Sequence, residues 1–129
     1  MANIEKKAAE QELNKMLKFW RIENIDPSFK NKLISGIMDG RITLNEETET
    51  MIIELIKPVQ LENGSAIDRL EIKEPDVRQM ENLDKMDRSK EFEMTAFMIS
   101  LMTGQPVGVI ERLKSRDFST VGALVGFFF

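Results

Sequence analysis

The side chains best equipped for acid–base or metal chemistry in this sequence are carboxylates, 22 aspartates and glutamates against 18 lysines and arginines. They gather at Asp84 and Asp87, at Glu91 and Glu93, and between Asp39 and Glu49. A carboxylate pair can hold a hard cation or work as general acid and base. The spacing speaks against each case. Glu91 and Glu93 flank a phenylalanine on a predicted helix and point to different faces. Asp84 and Asp87 fall in a polar joint. Asp39 with Glu46, Glu47 and Glu49 lacks the alternating oxygen ligands and mid-loop glycine of an EF-hand. Such charge runs belong to solvated faces.

The remaining catalytic inventory is short. The chain has no histidine and no cysteine. A Ser-His-Asp set, a thiolate nucleophile, a disulfide and a sulfur-bound zinc are therefore excluded. Gly104 and Gly108 have neither the spacing nor the lysine of a phosphate-binding loop. The sequence thus predicts no catalytic, cofactor-binding or metal-binding residues, and a protein that is not an enzyme.

The net charge of −4 argues against nucleic acid as a partner, because such a partner requires a clustered basic surface. Arg112, Lys114 and Arg116 are the only local support for a DNA-binding regulator. Residues Met1–Lys7 lack the apolar core of a signal peptide. The apolar run Val121–Phe129 falls short of the roughly 20 residues that cross a bilayer. A soluble cytoplasmic protein with no membrane partner is expected.

Hydrophobic periodicity sets out the elements. Ala9, Leu13, Met16, Leu17 and Trp20 form one stripe and predict a helix over 4–20, docked as a surface helix on the core. Asp26-Pro27 begins a second helix, with Asp26 as N-cap and Phe29, Leu33, Ile34, Ile37 and Met38 as its stripe, closed by Asp39-Gly40. Arg41–Leu44 reads as a short strand. Met51–Val59 is nearly continuous in apolar residues and reads as a strand inside a small sheet, with Pro58 marking its end or an edge. Asn63-Gly64 signals a hairpin, both positions tolerating positive φ, and Ala66–Lys73 is the return strand. A helix follows over 75–85, then a joint over 84–90. Next come a helix over Glu91–Met102 stopped by Gly104, a short helix marked by Val107, Val109, Ile110 and Leu113, and a last helix capped by Asp117 or Ser119. The fold class is α+β: N-terminal helices, a small antiparallel sheet and a C-terminal helical bundle. Residues 1–50 read as an N-terminal helical extension and 51–129 as the main domain, or the two as one continuous domain.

Five of the nine methionines, Met80, Met86, Met94, Met98 and Met102, fall in one short region. Methionine fills irregular gaps in a core, and it also lets a surface accept varied apolar partners. Their concentration beside a phenylalanine-rich last helix predicts an apolar patch for a partner to cover.

Several marks occur in a fixed order: Leu55-Ile56-Lys57-Pro58-Val59, Leu70-Glu71-Ile72-Lys73-Glu74-Pro75, Leu101-Met102-Thr103-Gly104-Gln105-Pro106, Val109-Ile110-Glu111-Arg112-Leu113, Asp117-Phe118, and Val121–Phe129. In this order the chain from about Met51 onward resembles the tail assembly chaperones of long-tailed bacteriophages, in particular the small Mu-like and P2-like types. The first fifty residues go beyond the minimal pattern. The resemblance implies a non-catalytic assembly factor in the host cytoplasm. It would bind the helical tape-measure protein, keep it soluble while the tail tube protein polymerises, and be absent from the mature virion. It also leaves room for a contact with the tube protein, for a homo-oligomer, and for a longer frameshifted product branching at Phe127-Phe128-Phe129. The expected binding surface is Met94, Phe97, Met98, Met102, Phe127 and Phe128. The alternative is a small structural tail or head-completion protein.

Overall fold

The computed structural model describes residues 5–87 and 89–128. The expected helix start at Ile4, Arg88 of the polar joint and Phe129 of the aromatic run lie outside them. The elements are α1 (Lys6–Phe19), α2 (Pro27–Met38), β1 (Ile42–Asn45), β2 (Thr50–Gln60), β3 (Ala66–Lys73), α3 (Val77–Glu81), a 3-10 turn (Asn82–Lys85), α4 (Glu91–Thr103), α5 (Val107–Ile110) and α6 (Ser115–Phe127). The class is α+β, with one antiparallel sheet in the order β1-β2-β3.

The sheet follows from side-chain alternation. Met51, Ile53, Leu55 and Val59 of β2 face inward, joined by Leu70 and Ile72 of β3 and Ile42 of β1. Met51 stands opposite Leu44 on one side and Ile72 on the other, so β2 is the central strand its apolar run predicts. Helices cover one face: α2 packs on β1, α6 on β2 and α4 on β3, while α1 packs on α2. Leu13, Met16 and Leu33 from the first fifty residues share one buried cluster with Ile53, Ile99, Ile110 and Leu124.

Local chemistry sets the element ends. Asp26 caps α2 by accepting from the Ser28 amide at 2.8 Å, with Pro27 in the first turn. Gly36 of α2 leaves no room for a Cβ against Ile42, so the helix meets β1 closely. In the hairpin turn only Gly64 takes positive φ, at 87°, while Asn63 accepts from the Ser65 amide at 3.0 Å. Gly64 alone therefore supplies the left-handed step.

Two expectations need correction. Strand β2 neither stops at Pro58 nor lies on an edge; it continues to Gln60. Its register with β3 shifts between Glu54 and Val59, and Pro58 sits in that irregular stretch, where its missing N–H breaks no regular ladder bond. Asp117 does not cap α6, which begins at Ser115 with Lys114 before it. Asp117 is fully buried in the first turn of the helix. It accepts from the amides of Ile56 at 2.9 Å and Lys57 at 3.0 Å. These are donors that the register shift takes out of the regular ladder. The Arg41 guanidinium lies 3.6 Å away and faces Asp117 as a charge, its Nη1 buried without a hydrogen bond. One carboxylate therefore ties α6, the bulged strand and the α2–β1 corner together.

Candidate partner-binding site

The methionine-rich helix α4 sits at the centre of the apolar surface. Glu91 and Glu93 lie in its first turn, where negative charge suits the helix dipole. Gly104, at φ 74°, ends it by giving its amide to the Ser100 carbonyl at 2.9 Å. Along α4 the apolar residues go round the whole helix: Phe92, Met94, Ala96, Phe97, Met98, Ile99, Leu101 and Met102. A helix apolar on every side is normally covered on every side. Here Ala96, Ile99 and Met102 are buried, whereas Met94, Phe97, Met98 and Leu101 stay half-exposed.

Two hollows flank this helix. The larger, about 980 Å³, opens between α4, α5, α6 and α2. Buried Ala96, Ile110, Leu113 and Ala123 line its floor, and Phe29, Met86, Phe92, Phe97, Val107 and Phe118 line the rest of its apolar wall. Phe92 is 81% exposed at the mouth, its ring centre 6.2 Å from that of Phe118. Lys32, Glu93 and Glu111 supply the flanking charge. The smaller hollow, about 340 Å³, lies on the other flank of α4 and is lined by Val77, Met80, Leu83, Met94 and Met98 with two acidic neighbours.

The six residues expected to form one binding surface are not brought together. Phe97 lines the larger hollow, and Met94 and Met98 line the smaller. Met102 and Phe127 are core residues. Phe128 is half-buried, its ring centre 5.3 Å from Trp20 and 5.2 Å from Phe127 in edge-on contacts. The terminal aromatics close α6 onto α1. The expected surface did not include Phe92, Phe118 and Val107, which line the larger hollow together with Met86 of the methionine cluster. Phe92 shares the stripe of Ala96, Ile99 and Thr103, so periodicity marks it as core, yet the first turn of α4 projects beyond the helices that bury the rest.

The polar groups here are suited to holding shape. Lys90 and Glu93 form a solvent-exposed pair at 3.9 Å, of the kind that contributes little. Asp26 and Asp87 are held below the usual carboxylate range, first by the hydroxyls of Ser28 and Ser89 and then by their amides. Both are turn residues ahead of a helix. Among the described residues no three carboxylates converge on a possible metal position. Arg112, the centre of the basic trio, is engaged by the Gln60 carbonyl at 3.0 Å and by Glu62 at 3.9 Å. No helix among the described residues is long and apolar enough to cross a membrane.

A family model described as phage tail assembly chaperone proteins, E, or 41 or 14, matches residues 52–129. The chain belongs to this family. The match runs from β2 through α6 and contains α4, Asp117, the smaller hollow and the lining of the larger hollow apart from Phe29 and Lys32 of α2. As a phage tail assembly chaperone, the protein works on protein partners in building the tail. Helices α1 and α2 and strand β1 lie outside the matched span and contribute to the same core. No curated protein and no solved structure matches the chain.

Proposed function

We propose that this chaperone binds the tape-measure protein in the host cytoplasm, keeps it soluble while the tail tube assembles, and leaves before the virion is complete. It does so without catalysis. The observation that carries this reading is α4, apolar on all sides and covered on only part of its surface, beside an apolar hollow with Phe92 at its mouth. A tape-measure helix presents a long apolar stripe, and a groove of this kind accepts such a stripe through anchors at helical spacing. Methionines that repack let one surface take many similar stripes. The net charge of −4 favours solubility of the loaded complex. In this reading Phe97, Met94 and Met98 meet the partner, and Met102, Phe127 and Phe128 support α4 and α6 from beneath.

Co-expression with the tape-measure protein tests this. Phe92→Asp leaves the core untouched, since the ring is already in solvent, and puts a charge where the partner helix would lie. The soluble yield of tape measure is expected to fall by about tenfold or more relative to wild type, as for loss of an interface anchor. An unchanged yield with a folded variant refutes the site. Mass spectrometry of purified particles separates chaperone from structural tail protein, because only the second is retained at fixed stoichiometry.

A further inference from the structure

The segment between β3 and α4 is lightly held by its surroundings. Helix α3 has no buried residue, and Val77 is 78% exposed. Among the described residues of the segment, Leu83, at 7%, is the buried one, and it stands apart from the continuous core cluster. A solvent-open hollow of about 340 Å³ is lined on one side by Val77, Met80 and Leu83 of this segment and on the other by Met94 and Met98 of α4. One long hydrogen bond joins the two, from Gln79 Nε2 to the Leu101 carbonyl at 3.4 Å.

The segment is nonetheless built as a unit. Asp76 accepts from the Gln79 amide at 2.8 Å, and Gln79 Oε1 accepts from the Asp76 amide at 3.0 Å, which makes a capping box. The same Gln79 side chain thus closes the short helix and ties it to α4. Its apolar pair Met80 and Leu83, three residues apart, faces Met94 and Met98 across the smaller hollow. It has the chemistry and spacing of a short amphipathic helix resting on a longer apolar one.

We infer that Val77–Lys85 is a displaceable strap, an internal stand-in for a partner helix, and that the methionine face of α4 beneath it is a second contact surface for the same partner. This rests on the reading of the protein as a binder of apolar helices. The committed occupant is a helix carrying leucine or methionine at three- and four-residue spacing, the pattern that Met80 and Leu83 already present. With the strap lifted, Met94, Met98 and Leu101 join Phe97 in one apolar surface that continues into the larger hollow. Displacement is inexpensive because the strap gives up the burial of Leu83 and one long hydrogen bond from Gln79, and an incoming apolar helix restores the burial. A short helix without buried residues has little stability of its own.

The absence of cysteine makes the test clean. In the full-length free protein, hydrogen exchange should show amides of the strap opening at least about tenfold faster than those of Ile99 and Met102, as expected of local opening. Equal protection in strap and α4 overturns the proposal. A Leu83→Cys, Met98→Cys protein, joined as a disulfide or by a short bis-maleimide, should bind a tape-measure segment at least about tenfold more weakly than the same unjoined variant. Equal affinity of joined and unjoined forms overturns the strap while leaving the proposed function standing. No binding by wild type refutes the proposed function instead, and the exchange measurement still decides whether the strap opens.

Discussion

At the scale of single residues, Asp117 decides more of this structure than any group around the two hollows. It is buried, it accepts from two strand amides, and it faces the Arg41 guanidinium. Its loss leaves two backbone donors without an acceptor and leaves Arg41, itself largely buried, with only the more distant Asp39 carboxylate at 3.9 Å. Asp117→Ala should destabilise the fold by about 3–5 kcal/mol, the usual cost of orphaning a buried charge. Chemical denaturation monitored by circular dichroism measures it, and a change below about 1 kcal/mol would show that Arg41 finds water instead. The sequence marks Asp117 only as an acid near a helix start, which suggests a cap. Its partners lie 60 and 61 residues away, and nothing local announces a register shift in β2. Phe92 is the opposite case. Its spacing says core, and only the placement of neighbouring helices leaves it in solvent.

At the scale of elements, most of the fold was legible, because each boundary carries its own chemistry. Asp26-Pro27, Asp39-Gly40, Asn63-Gly64 and Gly104 punctuate the chain where helices and strands begin or end. The apolar run of β2 gives its central place, and Ala66–Lys73 is found as expected. What could not be read was continuity through Pro58, since the bulge that tolerates it depends on α6. The N-cap of α2 supports a pH prediction. The Ser28 hydroxyl and then its amide lower the Asp26 carboxyl below its ordinary value of 3.8. A depressed folded pKa gives stability that is present above the unfolded value and lost as pH falls through the folded one. The stability difference between wild type and Asp26→Ala should therefore stay constant above about pH 4 and shrink below it. Denaturant midpoints at several acidic pH values measure this, and a difference that persists down to pH 2 would contradict it.

At the scale of the whole molecule, the question is how the first fifty residues relate to the matched family span. Trp20, the single tryptophan, sits edge-on to Phe127 at 5.7 Å and to Phe128 at 5.3 Å. Gly126 of α6 meets the Phe29 ring so closely that a Cβ there would displace it. We propose that residues 1–50 and 51–129 unfold as one unit. Trp20 fluorescence and far-ultraviolet circular dichroism should give one coincident transition, and two separated transitions would divide the chain into domains.

The six residues expected to form one surface are dispersed in the fold. Methionine and phenylalanine content points to apolar contact, yet Met102 and Phe127 are spent on the core, while Phe92 and Phe118 border the larger hollow. Burial in a small α+β fold is set by which helices overlap, and that is a tertiary property.

The nine methionines offer the most direct measurement of the central claim. Their methyl groups can be followed by nuclear magnetic resonance while a tape-measure segment is titrated into the full-length protein. The account predicts that Met86, Met94 and Met98, around the two hollows, shift on binding, while Met16 and Met51, sealed in the core, stay in place. Saturable binding that leaves Met86, Met94 and Met98 unmoved would contradict it.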